Sequence, residues 1–112
     1  MSENPKEKSD GLEKLNSRIF TEQLHSKFKV QTGTDAAIEL ELIEVGERPT
    51  SPKMECFSVV FRGPVSSVLP QKIWKMEHPR LGTFSLFLTP LGAKEDGATY
   101  EAVFHRYRKQ DS

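Results

Sequence analysis

Glu77 and His78, adjacent in the run KIWKMEHP, are the two side chains of this chain that most resemble a chemical site. A carboxylate beside an imidazole is the raw material of general acid–base catalysis and of metal ligation. The spacing argues against both. The alternation around the pair is that of a strand, whose successive side chains point to opposite faces, so neighbours cannot converge on one substrate. The remaining histidines, His25 and His105, stand far from His78 and complete no H-x₃-H metal spacing. The single cysteine, Cys56, precedes an apolar run and reads as a packing residue rather than a nucleophile. The sequence carries no G-x-x-x-x-G-K-[ST], G-x-G-x-x-G or G-x-S-x-G, the footprints of phosphate cradles and serine nucleophiles. The expectation is therefore a protein that is not an enzyme and that uses no cofactor and no metal.

What is left is chemistry of contact. Val60, Phe87 and Val103 each fall on the face of their strand opposite to the core-facing residues, where water-facing strands carry polar groups. If their strands are neighbours, the three form an apolar patch. Its cover is either the N-terminal segment with Leu12, Leu15 and Ile19 or another protein chain. Arg62-Gly63-Pro64 and Leu69-Pro70-Gln71 bound one connection. That connection is either a rigid turn, with Gly63 for permissive φ and the prolines for stiffness, or a presented loop with Arg62 and Gln71 as polar contacts. An alternative places Trp74, His78 and Tyr100 inside a barrel, lining a cavity for a small molecule. The cationic end, with Arg106, Arg108 and Lys109 around Tyr107, reads as a solvated terminus, partly offset by Asp111.

These residues are positioned by strands. FSVVF, IWKMEH, TFSLFLT and YEAVFHRY alternate apolar and polar residues between Pro/Gly clusters, the period-2 pattern of an antiparallel sheet with one buried face. Two earlier strands are expected at Phe28–Gln31 and Ala37–Val45. In the second, the inward set switches from Ile38, Leu40 and Leu42 to Ile43 and Val45, which predicts a β-bulge at Leu42–Ile43. GERPTSPK is a loop, and Pro79–Gly82 a tight turn. Ahead of the strands, Leu12, Leu15, Ile19 and Phe20 fit a short amphipathic helix; the alternative is one turn over Glu22–His25 capped by Thr21.

The fold expected is mainly all-β: a six-stranded antiparallel meander forming a small barrel or a two-layer sandwich, with a short N-terminal helix. Residues 1–16 read as a polar tail, 17–107 as one β domain and 108–112 as a C-terminal tail. A chain of 112 residues is one domain. Sixteen basic residues balance sixteen acidic ones, which gives no basic excess for nucleic acid. No apolar run approaches a membrane span, and no leader is visible, so a soluble cytoplasmic protein is expected. A lone cysteine fits a reducing compartment.

The ordered run FSVVFRGP, LPQKIWKMEHPRLGTFSLFLTP and YEAVF resembles a family of small bacterial domains with no assigned function. That family reads F-S-L-x-F-x-G-P, L-P-Q-x-x-Y-x-x-E-H-P-x-L-G-x-x-x-L-F-L-x-P and Y-x-A-x-F-N. Trp74 replaces the usual Tyr, and His105 the usual Asn. The resemblance carries no chemistry over; it implies an accessory part of a larger, tail-like bacterial assembly. The function expected is a non-catalytic protein-interaction or assembly module, whose partner is another protein or a second copy of the chain. The small-molecule-binding barrel is the alternative.

Overall fold

The computed structural model describes residues 15–48 and 51–107. One short helix, α1 (Ser17–Glu22), precedes six strands: β1 (Lys27–Gln31), β2 (Ala37–Glu47), β3 (Met54–Gly63), β4 (Lys72–His78), β5 (Gly82–Lys94) and β6 (Gly97–Tyr107). The helix starts at Asn16, whose side-chain oxygen accepts the Ile19 N–H at 2.9 Å, an N-cap of the preferred kind. Thr21 is not a cap; its hydroxyl donates to the Ser17 carbonyl within the helix. Leu12 lies outside the described residues.

The strands close into a barrel in the order β1-β2-β3-β6-β5-β4, every pair antiparallel. Consecutive strands pair within β1–β3 and again within β4–β6, so the meander runs in two halves. The halves join through β3–β6 and β1–β4 rather than through β3–β4. The β1–β4 seam is short, with only Lys29↔Glu77 and Val30↔Met76 in register. The bulge expected in β2 is present: register shifts between Leu42 and Glu44. A second shift at Pro90/Gly92 lets β5 run on past Pro90, beyond the TFSLFLT run.

The interior is filled. Phe28, Val30, Leu40, Leu42, Phe57, Val59, Phe61, Met76, Leu88 and Tyr100 are all fully buried, as expected of a six-stranded barrel, which is too narrow for a ligand cavity. Each end is then plugged. At one end Phe20 of α1 inserts among Phe28, Phe57, Phe84 and Phe104, with ring centroids 5.6–6.4 Å away. Phe57 and Phe104, opposite in register, stack at 4.4 Å. At the other end the β3–β4 connection crosses the barrel mouth and buries Leu69. The Leu69 N–H donates to the Tyr100 hydroxyl at 2.8 Å, and the Trp74 indole N–H donates to the Pro70 carbonyl at 3.0 Å. Gly63 starts this crossing, and a Cβ there would collide with Leu40. Close approach, rather than the permissive φ expected from sequence, is what requires glycine at that position.

Tyr100→Phe keeps the ring and deletes the acceptor of the Leu69 N–H. A buried N–H left without a partner costs about 1–3 kcal/mol. Urea unfolding should show a loss of that size with an unchanged slope.

Candidate functional site

His78 is 5% exposed, at the last position of β4. Its Nδ1 receives the backbone N–H groups of Arg80 at 3.0 Å and Leu81 at 3.3 Å. A backbone N–H can only donate, so Nδ1 holds a lone pair and the ring proton sits on Nε2. Nε2 in turn donates to the Ser26 hydroxyl oxygen at 2.9 Å, and Ser26 donates to the Gln23 carbonyl at 2.6 Å. The direction of this relay decides its chemistry. A nucleophilic serine gives its proton to an unprotonated imidazole nitrogen; here the serine proton is committed to a carbonyl and the imidazole is the donor. The ring also packs on Phe28 at 4.4 Å between centroids. The set fastens the segment after α1 to the β4–β5 turn, where Gly82 takes φ 83°. Burial, helped by the positive charge of Arg80, holds the His78 pKa below its ordinary value. Glu77 points the other way, and the Gln31 amide donates to it at 3.3 Å.

The other residues singled out in sequence separate into two groups. Trp74 and Tyr100 belong to the packed interior and its plug. Arg62 is engaged at the upper end of β3, 3.4 Å from Glu41 and 3.9 Å from Asp96. Partial burial raises the Glu41 pKa, but hydrogen bonds from His25 and Arg62 outweigh it and leave a net lowering. Arg106 bonds Glu55 at 3.2 Å, donates to the Leu15 carbonyl, and lies over the Phe57 and Phe104 rings. Arg108 and Lys109 lie outside the described residues. Among the described residues no group of three His, Cys, Asp or Glu side chains is placed to hold a metal ion.

Phe87 and Val103 remain at the surface, 51% and 52% exposed, and Ile73 joins them at 64%. Ile73 is directly opposite Phe87 in the β4–β5 register. Ile73 and Phe87 thus adjoin on β4 and β5, whereas the β5–β6 pairing stops at Thr89 and Glu101, short of Phe87 and Val103. Gln71 is exposed at the head of β4, beyond Ile73. Val60 lies one row off and diagonal to Val103. It pairs with Glu101, which holds Arg48 at 3.1 Å, and it is half-buried. Between β5 and β6 a surface cleft of about 410 Å³ is lined by Leu86, Phe87, Thr89, Glu101, Val103 and Phe104, among others. Sequence reading passed over Ile73. Its parity with Lys75 and Glu77, the outward residues of β4, was the available signal.

The opposite side of the barrel is a different surface. β1 lies across the ring from β6. Its outward Lys29 stands between Glu39 and Glu77 in register, and Lys27 faces Glu41. A groove of about 630 Å³ over this side is lined by Lys27, Lys29, Glu39, Glu77 and Arg80 together with Gln23, Ser26, His78, Pro79, Gly82 and Thr83, so of the three residues expected to line a ligand cavity it holds His78. Charges of both signs alternate there, as on an ordinary solvated sheet. Of the N-terminal residues expected as a cover, Leu15 is buried in the core and Ile19 packs against it, so neither covers the apolar residues of β4 to β6; Leu12 lies outside the described residues.

A family model described as Domain of unknown function (DUF6916) matches residues 15–104. The chain belongs to the DUF6916 family. No curated protein and no solved structure matches it. The span of the DUF6916 match begins at Leu15 and ends at Phe104, both buried.

Because the folded-state pKa of His78 is lowered, the unfolded chain takes up the proton first as pH falls. The stability His78 contributes is fully present above about pH 6.5 and declines below it until the folded pKa is reached. In His78→Asn a side-chain oxygen can replace Nδ1 as acceptor but cannot titrate. Urea melts at pH 7.5 and 5.5 should give a smaller pH-dependent loss for His78→Asn than for the wild type.

Proposed function

We propose that this domain is a non-catalytic protein-interaction module that docks a protein through the outer face of β4, β5 and β6. The observation that carries the reading is the two-sidedness of the barrel. Lys and Glu alternate over β1 and its neighbours, whereas Ile73 and Phe87 adjoin as exposed apolar side chains on β4 and β5, with Val103 across the β5–β6 cleft. Apolar side chains exposed singly need no explanation; Ile73 and Phe87 paired across neighbouring strands, with Val103 beside their cleft, make a patch of the kind that marks binding surfaces. The filled interior disfavours the ligand-binding barrel, and the His78–Ser26 relay runs opposite to that of a nucleophile–base pair. An accessory place in a larger assembly, as the sequence resemblance implies, fits a domain whose binding surface is one face of a rigid barrel.

Phe87 is the centre of this patch, so Phe87→Asp should remove binding at little cost to folding, within about 0.5 kcal/mol as for most surface substitutions. The check is affinity capture from the native host at low salt, with mass spectrometry of what co-purifies, the untagged chain itself included. A stoichiometric companion present with wild type and absent with Phe87→Asp is the expected result. Equal recovery with both, or unfolding of the variant, would contradict the proposal.

A further inference from the structure

We infer that the docked partner enters as an extended strand, laid in the gap between β5 and β6 and hydrogen-bonded to the main chains of both. The inference rests on the docking reading above and names how the partner is held and what segment it must offer. The β5–β6 ladder runs from Lys94↔Gly97 to Thr89↔Glu101 and stops there. Past that point, among the described residues, 83–88 pair with β4 alone and 102–107 with β3 alone. Phe20 sits between the parted strands, its ring 6.4 Å from that of Phe84 on β5 and 5.6 Å from that of Phe104 on β6. The cleft of about 410 Å³ lies in this gap, with Leu86 and Phe87 on one wall and Ala102, Val103 and Phe104 on the other.

The direction of the main chain on each wall follows from one hydrogen bond. The Arg48 N–H donates to the Cys56 carbonyl at 2.9 Å, so Cys56 and every second residue after it in β3 turn their main chain toward β2. Phe57, Val59 and Phe61 therefore bond β6, through Phe104, Ala102 and Tyr100. That leaves Glu101, Val103 and His105 to direct N–H and C=O away from β3. Glu101 faces Thr89, whereas Val103 and His105 face the gap. By the same alternation Ser85 and Phe87 face it from β5. Two free strand edges that look at each other are a template for a further strand. It would run antiparallel to one wall and parallel to the other. A helix keeps its main-chain groups for its own ladder and would leave both edges to water. The inserted strand's outward side chains would stand between Phe87 and Val103, and its inward ones against Leu86, Ala102 and Phe104. Both of its faces are thus apolar, which calls for a short run of valine or isoleucine. Neither residues 1–14 nor residues 108–112 contain either, so the chain's own ends do not supply it.

The probe is an acetylated and amidated peptide, Lys-Val-Val-Val-Lys. The control is the same peptide N-methylated at its valines, which keeps every side chain and deletes their N–H groups. Both are titrated to millimolar concentration into the full chain, followed by amide-resolved magnetic resonance and hydrogen exchange. In the free chain the Phe87 and Val103 amides should exchange readily. The probe should slow both by about tenfold or more, and the control should leave them unchanged. Val103→Pro deletes an N–H aimed at the gap, keeps an apolar side chain and breaks no bond to β3. It should weaken the probe by about tenfold, as for one lost main-chain hydrogen bond; circular dichroism checks its fold, and the methylated control decides the matter if it is unfolded. Equal binding of the two peptides in the cleft would overturn strand entry while leaving docking through this face intact. Slow exchange of both amides in the free chain, or no binding of the probe, would also overturn strand entry alone. Binding of the probe on the β1 side instead would overturn both readings.

Discussion

A closed barrel of six strands has an interior just wide enough for side chains, and two open ends that would admit water to them. The whole structure answers that constraint. Phe20 seals one end and Leu69 the other, each carried by a segment outside the strand ladders. Phe20 reaches its place because Asn16 starts α1 one turn before it, and because the Gln23–Ser26 segment is fastened to β4 through His78. Leu69 reaches its place because Gly63 lets the chain pass over Leu40, and because Tyr100 supplies an oxygen to the one backbone N–H the crossing would otherwise bury unpaired. The Tyr100 hydroxyl and the His78 imidazole are thus used to hold the plugs in place.

The same constraint shapes the outside. With the interior complete, the apolar residues of the outward faces have no structural work inside the chain. Around β1 those faces carry paired Lys and Glu side chains. Across β4, β5 and β6 they carry Ile73, Phe87 and Val103. The β4–β5 pairing fixes Ile73 and Phe87 relative to one another, so the docking proposed above would meet a preformed surface and lose little ordering entropy.

Much of this was legible in the sequence. The alternation placed Phe57, Val59 and Phe61 inward and Phe87 and Val103 outward, and the phase switch at Leu42–Ile43 marked the bulge that bends β2. The strand order was not legible beyond the two halves. Alternation tells which face a residue takes but not which strand lies beside it, and the short segment after Gly63 suits either a turn to a neighbour or a crossing of the barrel mouth. The plugs were hidden for a related reason. Helical spacing marked Phe20 as an apolar residue of the first helix but not the barrel end that it enters, and Leu69 and Tyr100 are 31 residues apart in the chain. His78 was legible as a core-edge histidine, but its partners, two backbone N–H groups and the distant Ser26, follow from the turn geometry and the β1–β4 seam.

The most direct test of where this domain makes contact is an amide-resolved nuclear magnetic resonance comparison of the intact chain alone and with the companion that it captures. The account predicts shifts at Ile73, Phe87 and Val103 and their neighbours on β4, β5 and β6, with Lys27, Lys29 and the interior residues around Tyr100 unmoved. Shifts concentrated on the β1 side or on the barrel interior would contradict it.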